Sequence, residues 1–207
     1  MAPPRLPTWP TTSASASGCS TGDPKPYPCG VVIHPAIDAA LALLDRGVTP
    51  DQVESVELRV SPLALTITGN SSPTDGLQSK FSVFHATATA LLAGSVLPQH
   101  FEDDWVTRSD VLDLRARVSG TAVESTGRDE AEIVARLRDG TTVRATAKAR
   151  GTRERRMTTA EVQTKFRLLT EPLLGADGST AVIEAVTRLP SSKHVGDVID
   201  NCSGGKP

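Results

Sequence analysis

The chain has 207 residues, and its 22 lysines and arginines against 24 aspartates and glutamates give a formal net charge of −2. So small a charge gives no electrostatic reason to expect binding to nucleic acid or to an anionic membrane, and aromatic residues, at 3%, are too few for a surface that stacks single-stranded bases. No apolar run approaches the ~20 residues that span a bilayer, so we expect no membrane partner.

The chain is long enough to bury one sizeable core or two small ones. Its three cysteines, Cys19, Cys29 and Cys202, are odd in number and far apart in the sequence. This pattern favours neither a disulfide framework nor a zinc site. We therefore expect a cytoplasmic protein that works without a metal ion.

Residues 1–24 differ in composition from the rest. They are rich in Pro, Ser, Thr, Ala and Gly, and Arg5 is their one basic residue before Pro24. Such a segment cannot bury enough apolar surface to fold, so it predicts a disordered leader, and it lacks the apolar stretch of a secretory signal. A second interpretation is a frameshift origin, since a shifted frame of GC-rich codons for residues 1–21 encodes an acidic, helix-like string.

The segment Lys25–Asp38 reads KPYPCGVVIHPAID and carries a lysine, a thiol and an imidazole close together. Pro26 and Pro28 favour an extended, stiff backbone around Tyr27. Pro35 suits the first turn of a helix, which places His34 at the helix N-terminus, where a neutral imidazole can exchange protons. The alternative is an ordinary proline-rich connection before a helix.

Hydrophobic periodicity predicts the elements that follow. Helical spacing predicts helices over 36–46, 80–92, 109–117, 158–174 and 179–189, and alternation predicts strands over 56–60, 118–123, 131–137 and 143–149. Asp139-Gly140 lies between the last two strands and predicts a hairpin. Alanines in the last strand indicate close packing against a helix. The order of elements predicts an α+β fold with an antiparallel sheet and packed helices.

Four short segments, in this order and spacing, resemble the MmgE/PrpD family, which includes 2-methylcitrate dehydratase, cis-aconitate decarboxylase and iminodisuccinate epimerase. They are KPYPCG (25–30), HPAID (34–38), KFS (80–82) and KFR (165–167). The resemblance covers only the C-terminal portion of a family member. It implies an α+β lid domain over residues 25–155, and a C-terminal helical segment and tail over 156–207 whose helices normally join an all-helical domain.

The resemblance also implies a chemistry without metal or organic cofactor, in which a proton is abstracted beside a carboxylate of a small di- or tricarboxylate. Lys25 would bind or polarise a carboxylate, and His34 would transfer a proton or bind a carboxylate. His85 is a third catalytic candidate, at a position where the family often has tyrosine. Tyr27 and Cys29 are candidate substrate-binding residues, and packing of the loop is the alternative for both.

Structural roles are predicted for four residues of the KFS and KFR segments. Lys80 and Lys165 are expected to point outward or to form salt bridges, and Phe81 and Phe166 to point inward. His100 is predicted to lie at the surface.

The function expected from the resemblance is a lyase or dehydratase-like enzyme, or an epimerase of the same family, that is inactive alone because the helical half supplies further substrate-binding residues. A non-catalytic carboxylate-binding or partner-docking module, left by gene truncation, is the second interpretation. An unrelated α+β domain is the third. The expected partners are a small polycarboxylate and either an intact paralogue or a separate helical domain.

Overall fold

The computed structural model describes residues 24–191 and 195–202. The interpretations of the leader as disordered or frameshift-derived therefore concern residues outside those described, apart from Pro24. The helices are α1 (His34–Asp45), α2 (Pro62–Thr68), α3 (Gly76–Ser79), α4 (Val83–Ala93), α5 (Asp103–Val106), α6 (Ser109–Arg115), α7 (Thr159–Arg188) and α8 (Gly196–Cys202). The strands are β1 (Val53–Val60), β2 (Val118–Ala122), β3 (Glu130–Leu137) and β4 (Thr142–Lys148).

The fold is α+β, as predicted, but its sheet is mixed. The strand order is β2-β1-β3-β4, and β1 pairs antiparallel with β3 but parallel with β2. The prediction of an antiparallel sheet is therefore wrong for β2. The reason is the connection, because residues 61–117 contain α2 to α6 and return the chain to the end of the sheet where β1 began, so that β2 runs in the same direction.

The β3–β4 hairpin forms where the sequence predicted it. Ile133 pairs with Ala145, and Gly140 in the turn has a φ of 84°, which glycine adopts without strain. Ala145 is buried on the face that α1 covers. The small side chains of β4 thus allow a helix to pack closely, as expected.

The hydrophobic core lies between the inner face of the sheet and the helices α1 and α4. Val56, Leu58 and Ile133 are fully buried there. The opposite face of the sheet carries ion pairs, including one between Arg136 and Glu54 at 2.9 Å. One face of the sheet is therefore closed by helices, and the charged face is open to water.

The helix α7 folds back on itself at Gly175, whose φ of 71° and ψ of 171° are not helical. The hydroxyls of Thr170 and Ser179 lie 2.8 Å apart, across this break. A straight helix would separate residues at that spacing by about 13 Å, so the two halves form a helical hairpin, which α8 contacts. The break falls between the two helices that the sequence predicted. Within the described residues, no helix is long and apolar enough to cross a bilayer.

Candidate active site

The segment 25–30 leads into α1 through a short 3-10 turn, Val31–Ile33. The backbone N–H of Gly30 donates to the Lys80 carbonyl at 3.0 Å, which ties the segment to the start of α4. Lys25 itself is exposed, and its carbonyl accepts a hydrogen bond from the ammonium of Lys165 on α7. Helix α1 begins at His34, with no side-chain cap at its N-terminus. The predicted position of His34 is thus correct.

The imidazole of His34 is buried, with 1% of its surface exposed. Its Nε2 has no hydrogen-bond partner among the described residues, and its ring interacts with the backbone of Cys29. Burial lowers the pKa of His34 to about 4, and the nearby ammonium of Lys25 also lowers it. At neutral pH the imidazole of His34 is therefore uncharged, and one of its ring nitrogens, Nε2, makes no hydrogen bond with the described residues.

Tyr27 is held by a buried carboxylate that the sequence analysis did not identify. Its hydroxyl donates to Asp38 Oδ1 at 2.5 Å and accepts a hydrogen bond from Arg150. Burial and the neighbouring Asp38 carboxylate both raise the pKa of Tyr27. Because its O–H is already donated to Asp38, a ligand carboxylate would have to displace Asp38 to accept a hydrogen bond from Tyr27.

The same carboxylate joins distant parts of the chain. The backbone N–H of Arg150 donates to Asp38 Oδ2 at 2.9 Å, and the guanidinium of Arg155 bonds the same oxygen at 3.2 Å. Arg150 also bonds Glu161 in the first turn of α7, at 3.2 Å. We call Tyr27, Asp38, Arg150, Arg155 and Glu161 the Asp38 clamp. It connects the 25–30 segment, α1 and α7 in one network.

Cys29 is buried beside His34. Burial raises the pKa of its thiol to about 12, so the thiol is protonated at neutral pH and is a poor nucleophile. Its 4% exposure leaves little surface for a substrate. Packing is the role that this environment supports.

His85 has its own set of contacts on α4. Its ring is fully buried, and Nε2 lies 2.9 Å from the carbonyl oxygen of His100. Its other neighbours include Phe101, with ring centroids 5.6 Å apart, and its pKa is lowered to about 4, mainly by burial. Among the described residues, no hydrogen bond or ring contact joins His85 to Lys25 or His34.

The sequence predicted His100 at the surface, but the structure buries it. Its Nδ1 accepts a hydrogen bond from the Leu97 N–H at 3.1 Å, and its ring lies 4.2 Å from that of Trp105. Phe81, predicted to point inward, is about half exposed at 48%. The partners of His100 are close to it in the sequence, but no motif or periodicity marks them as partners.

A cleft of about 470 Å³ lies beside the 25–30 segment. Its walls are mostly apolar and include Tyr27, Leu41, Leu97 and Leu168, and Lys165 contributes an ammonium. Among residues 24–191 and 195–202, no three His, Cys, Asp or Glu side chains are grouped as a metal site requires.

A comparison with protein families identifies the family of this chain. The family model described as the MmgE/PrpD C-terminal domain matches residues 27–190. The chain belongs to the MmgE/PrpD family. The matched range of this MmgE/PrpD chain includes His34, His85 and Lys165 and begins just after Lys25. No curated protein gives a significant match to the chain.

Proposed function

We propose that this chain is the carboxylate-binding, C-terminal part of an MmgE/PrpD-type lyase, acting on a small di- or tricarboxylate by proton abstraction beside a carboxylate. The observation that carries the proposal is the pairing of an exposed ammonium, Lys25, with a buried and unprotonated base, His34, in a chain of this family. A reaction of this type needs a cation to neutralise the carboxylate and a base that is free of its proton.

In this proposal Lys25 binds or polarises the substrate carboxylate, because its side chain is exposed next to the loop that leads into α1. His34 accepts or returns the proton through Nε2, which has no partner in the described part of the chain. That atom is shielded from solvent, so the loop has to open slightly when the substrate enters. Asp38 and Arg150 hold the loop and do not react.

The proposal includes a helical partner, either a separate helical domain or an intact paralogue. The apolar side chains of Val31, Ile67 and Phe81 are about half exposed, and they lie on adjoining segments, because Gly30 bonds Lys80 and Gly69 pairs with Ser82. Exposed apolar surface of this kind is typical of an interface. Residues 25–155 would then form the lid, with 156–207 returning to the helical partner.

A second candidate function is carboxylate binding without turnover. It is favoured by the contacts of His85, which is buried and bonds the His100 carbonyl, with no hydrogen bond or ring contact to Lys25 or His34 among the described residues. His34 is then the one base identified beside Lys25. Acid and base groups must act together at fixed geometry, so a single base supports binding better than a complete reaction. Epimerisation of the same substrates has no separate support from the structure.

The test is reconstitution. We would mix the chain with the helical portion of an intact MmgE/PrpD protein and follow dehydration of 2-methylcitrate. We expect no appreciable turnover by the chain alone, some turnover with the partner, and loss of that turnover in Lys25→Ala. The matched control is Lys148→Ala on the open face of the sheet. Full activity of the isolated chain, or rescued activity that is indifferent to Lys25→Ala, would overturn the proposal.

A further inference from the structure

Lys165 was predicted from sequence to be structural, yet its ammonium reaches the candidate site. It donates a hydrogen bond to the carbonyl of Lys25, which lies 140 residues earlier in the chain. It also lines the cleft beside Tyr27 and Pro28. The Lys165 ammonium therefore lies at hydrogen-bond distance from the Lys25 carbonyl. The Lys25 ammonium can be no farther from that carbonyl than the length of its own side chain.

The position of Lys165 follows from the way α7 begins. Thr158 caps the helix, and Glu161 closes a capping box with it. Glu161 also bonds Arg150 of the Asp38 clamp. This anchors the first turn of α7, and Lys165, one turn later, lies on the same side of the helix as Glu161.

The charges around the site do not cancel. Within the Asp38 clamp, two arginines face two carboxylates, so the clamp is electrically balanced. Neither Lys25 nor Lys165 forms an ion pair with any described residue. The site therefore presents two positive charges that no described carboxylate neutralises, and both ammonium groups lower the pKa of His34.

We propose that Lys165 is a second substrate-binding cation, which together with Lys25 makes the site select dicarboxylates over monocarboxylates. The inference rests on the proposed function, since it concerns the same site. Lysine retains two further N–H donors when one is used on a carbonyl, so Lys165 can hold the Lys25 backbone and a ligand carboxylate at once. Lys25 takes one carboxylate of the ligand and Lys165 takes the other.

The test compares succinate with butyrate, two acids of equal carbon number that differ by one carboxylate. Binding to the full 207-residue chain is measured by NMR titration at low ionic strength, where ion pairs are least screened. We expect Lys165→Met to weaken succinate binding about three- to tenfold with little change for butyrate, because it removes one charge-assisted contact. Lys25→Met should weaken both ligands, and Lys165→Arg should retain the preference for succinate. Lys148→Met controls for the loss of a positive charge that is paired with Glu130 and Glu154 and does not line the cleft.

A second measurement separates ligand binding from packing. Without ligand, the pKa of His34, followed by its ring resonances, should rise in Lys165→Met and stay low in Lys165→Arg, because a nearby cation disfavours the protonated ring. If Lys165→Met binds succinate as Lys148→Met does, the inference is wrong, although Lys25→Met can still support the proposed function. If the unaltered chain binds no succinate, or if Lys25→Met has no effect, the proposed function fails as well.

Discussion

The hydroxyl of Tyr27 and the carboxylate of Asp38 form a buried hydrogen bond of 2.5 Å between the loop before α1 and the first turns of that helix. Arg150 completes the arrangement by bonding both partners. The segment that carries Lys25 is thus fixed by a side chain from the helix that it leads into. Asp38 and Arg150 therefore link the loop to α1 in the structure.

Tyr27→Phe should lower the free energy of unfolding by about 1.5–3 kcal/mol, because it removes the hydrogen bonds of the hydroxyl with Asp38 and Arg150 and leaves the ring in place. Urea unfolding of the variant measures this loss. The control is Glu54→Gln, which breaks an exposed pair with Arg136 and should cost at most about 1 kcal/mol. Equal losses in the two variants would show that the Asp38 clamp adds no stability.

Stability should fall in mild acid. His34 and His85 have a pKa of about 4 in the folded protein, against about 6.5 in an unfolded chain. Between these values the unfolded state binds more protons, so the free energy of unfolding decreases as the pH falls from about 6.5 to about 4. Each histidine contributes up to about 3 kcal/mol of this change.

The measurement is urea unfolding across that pH range, in the unaltered chain and in His85→Phe. The variant should show a shallower fall, because one of the buried histidines has been removed. A pH dependence identical in the two proteins would contradict the assignment for His85.

His85→Phe also tests the predicted catalytic role of His85. The change leaves the carbonyl of His100 without its partner and should cost about 1–3 kcal/mol of stability at neutral pH. Because His85 makes no hydrogen bond or ring contact with Lys25 among the described residues, we expect succinate binding to be unchanged, as measured by NMR titration. A loss of succinate binding as large as that in Lys25→Met would support the predicted role of His85 in the site.

Gly76 is expected to resist substitution for a reason of space. A Cβ there would lie 2.1 Å from the backbone oxygen of Phe101, and the Gly76 N–H already donates to Asp103 at 2.7 Å. Gly76→Ala should therefore destabilise the fold by about 2–4 kcal/mol. The control is Gly140→Ala, where the φ of 84° disfavours alanine but the added Cβ meets open space, and which should cost about 1 kcal/mol. Thermal unfolding of both variants measures the two losses of stability. A loss in Gly76→Ala no larger than that in Gly140→Ala would contradict the prediction.

Local pattern predicted most elements of this fold. The alternation in β1, β3 and β4 and the helical spacing in α1 and α4 are properties of neighbouring residues, so a sequence reveals them. The direction of β2 is different in kind, since it depends on where a crossover of five helices ends. Periodicity carries no information about that.

The candidate site was also predicted only in part, because some of its contacts join residues that are far apart in the sequence. Proline spacing placed Lys25 and His34 correctly at the entrance to α1. The bond from Arg150 to Asp38 spans 112 residues, and neither residue belongs to a motif that would pair them. Lys165 was expected to point outward or to form a salt bridge, because its helix could be predicted but the neighbour of that helix could not. The sequence therefore did not reveal which side chains, far apart along the chain, come into contact.

The placement of β1 between β2 and β3 bears on how the chain folds. Val56 pairs with Val118 on one side and with Ala135 on the other, so each contact of this strand closes a long loop, whereas Ala135 meets Val143 across a short turn. Closing long loops costs entropy before any contact repays it. We therefore expect β3 and β4 to join first and β1 to dock onto them. The outer strand β2 should pair last, after the crossover of residues 61–117 has folded. Pairing of β2 should therefore be the slow step that limits the folding rate.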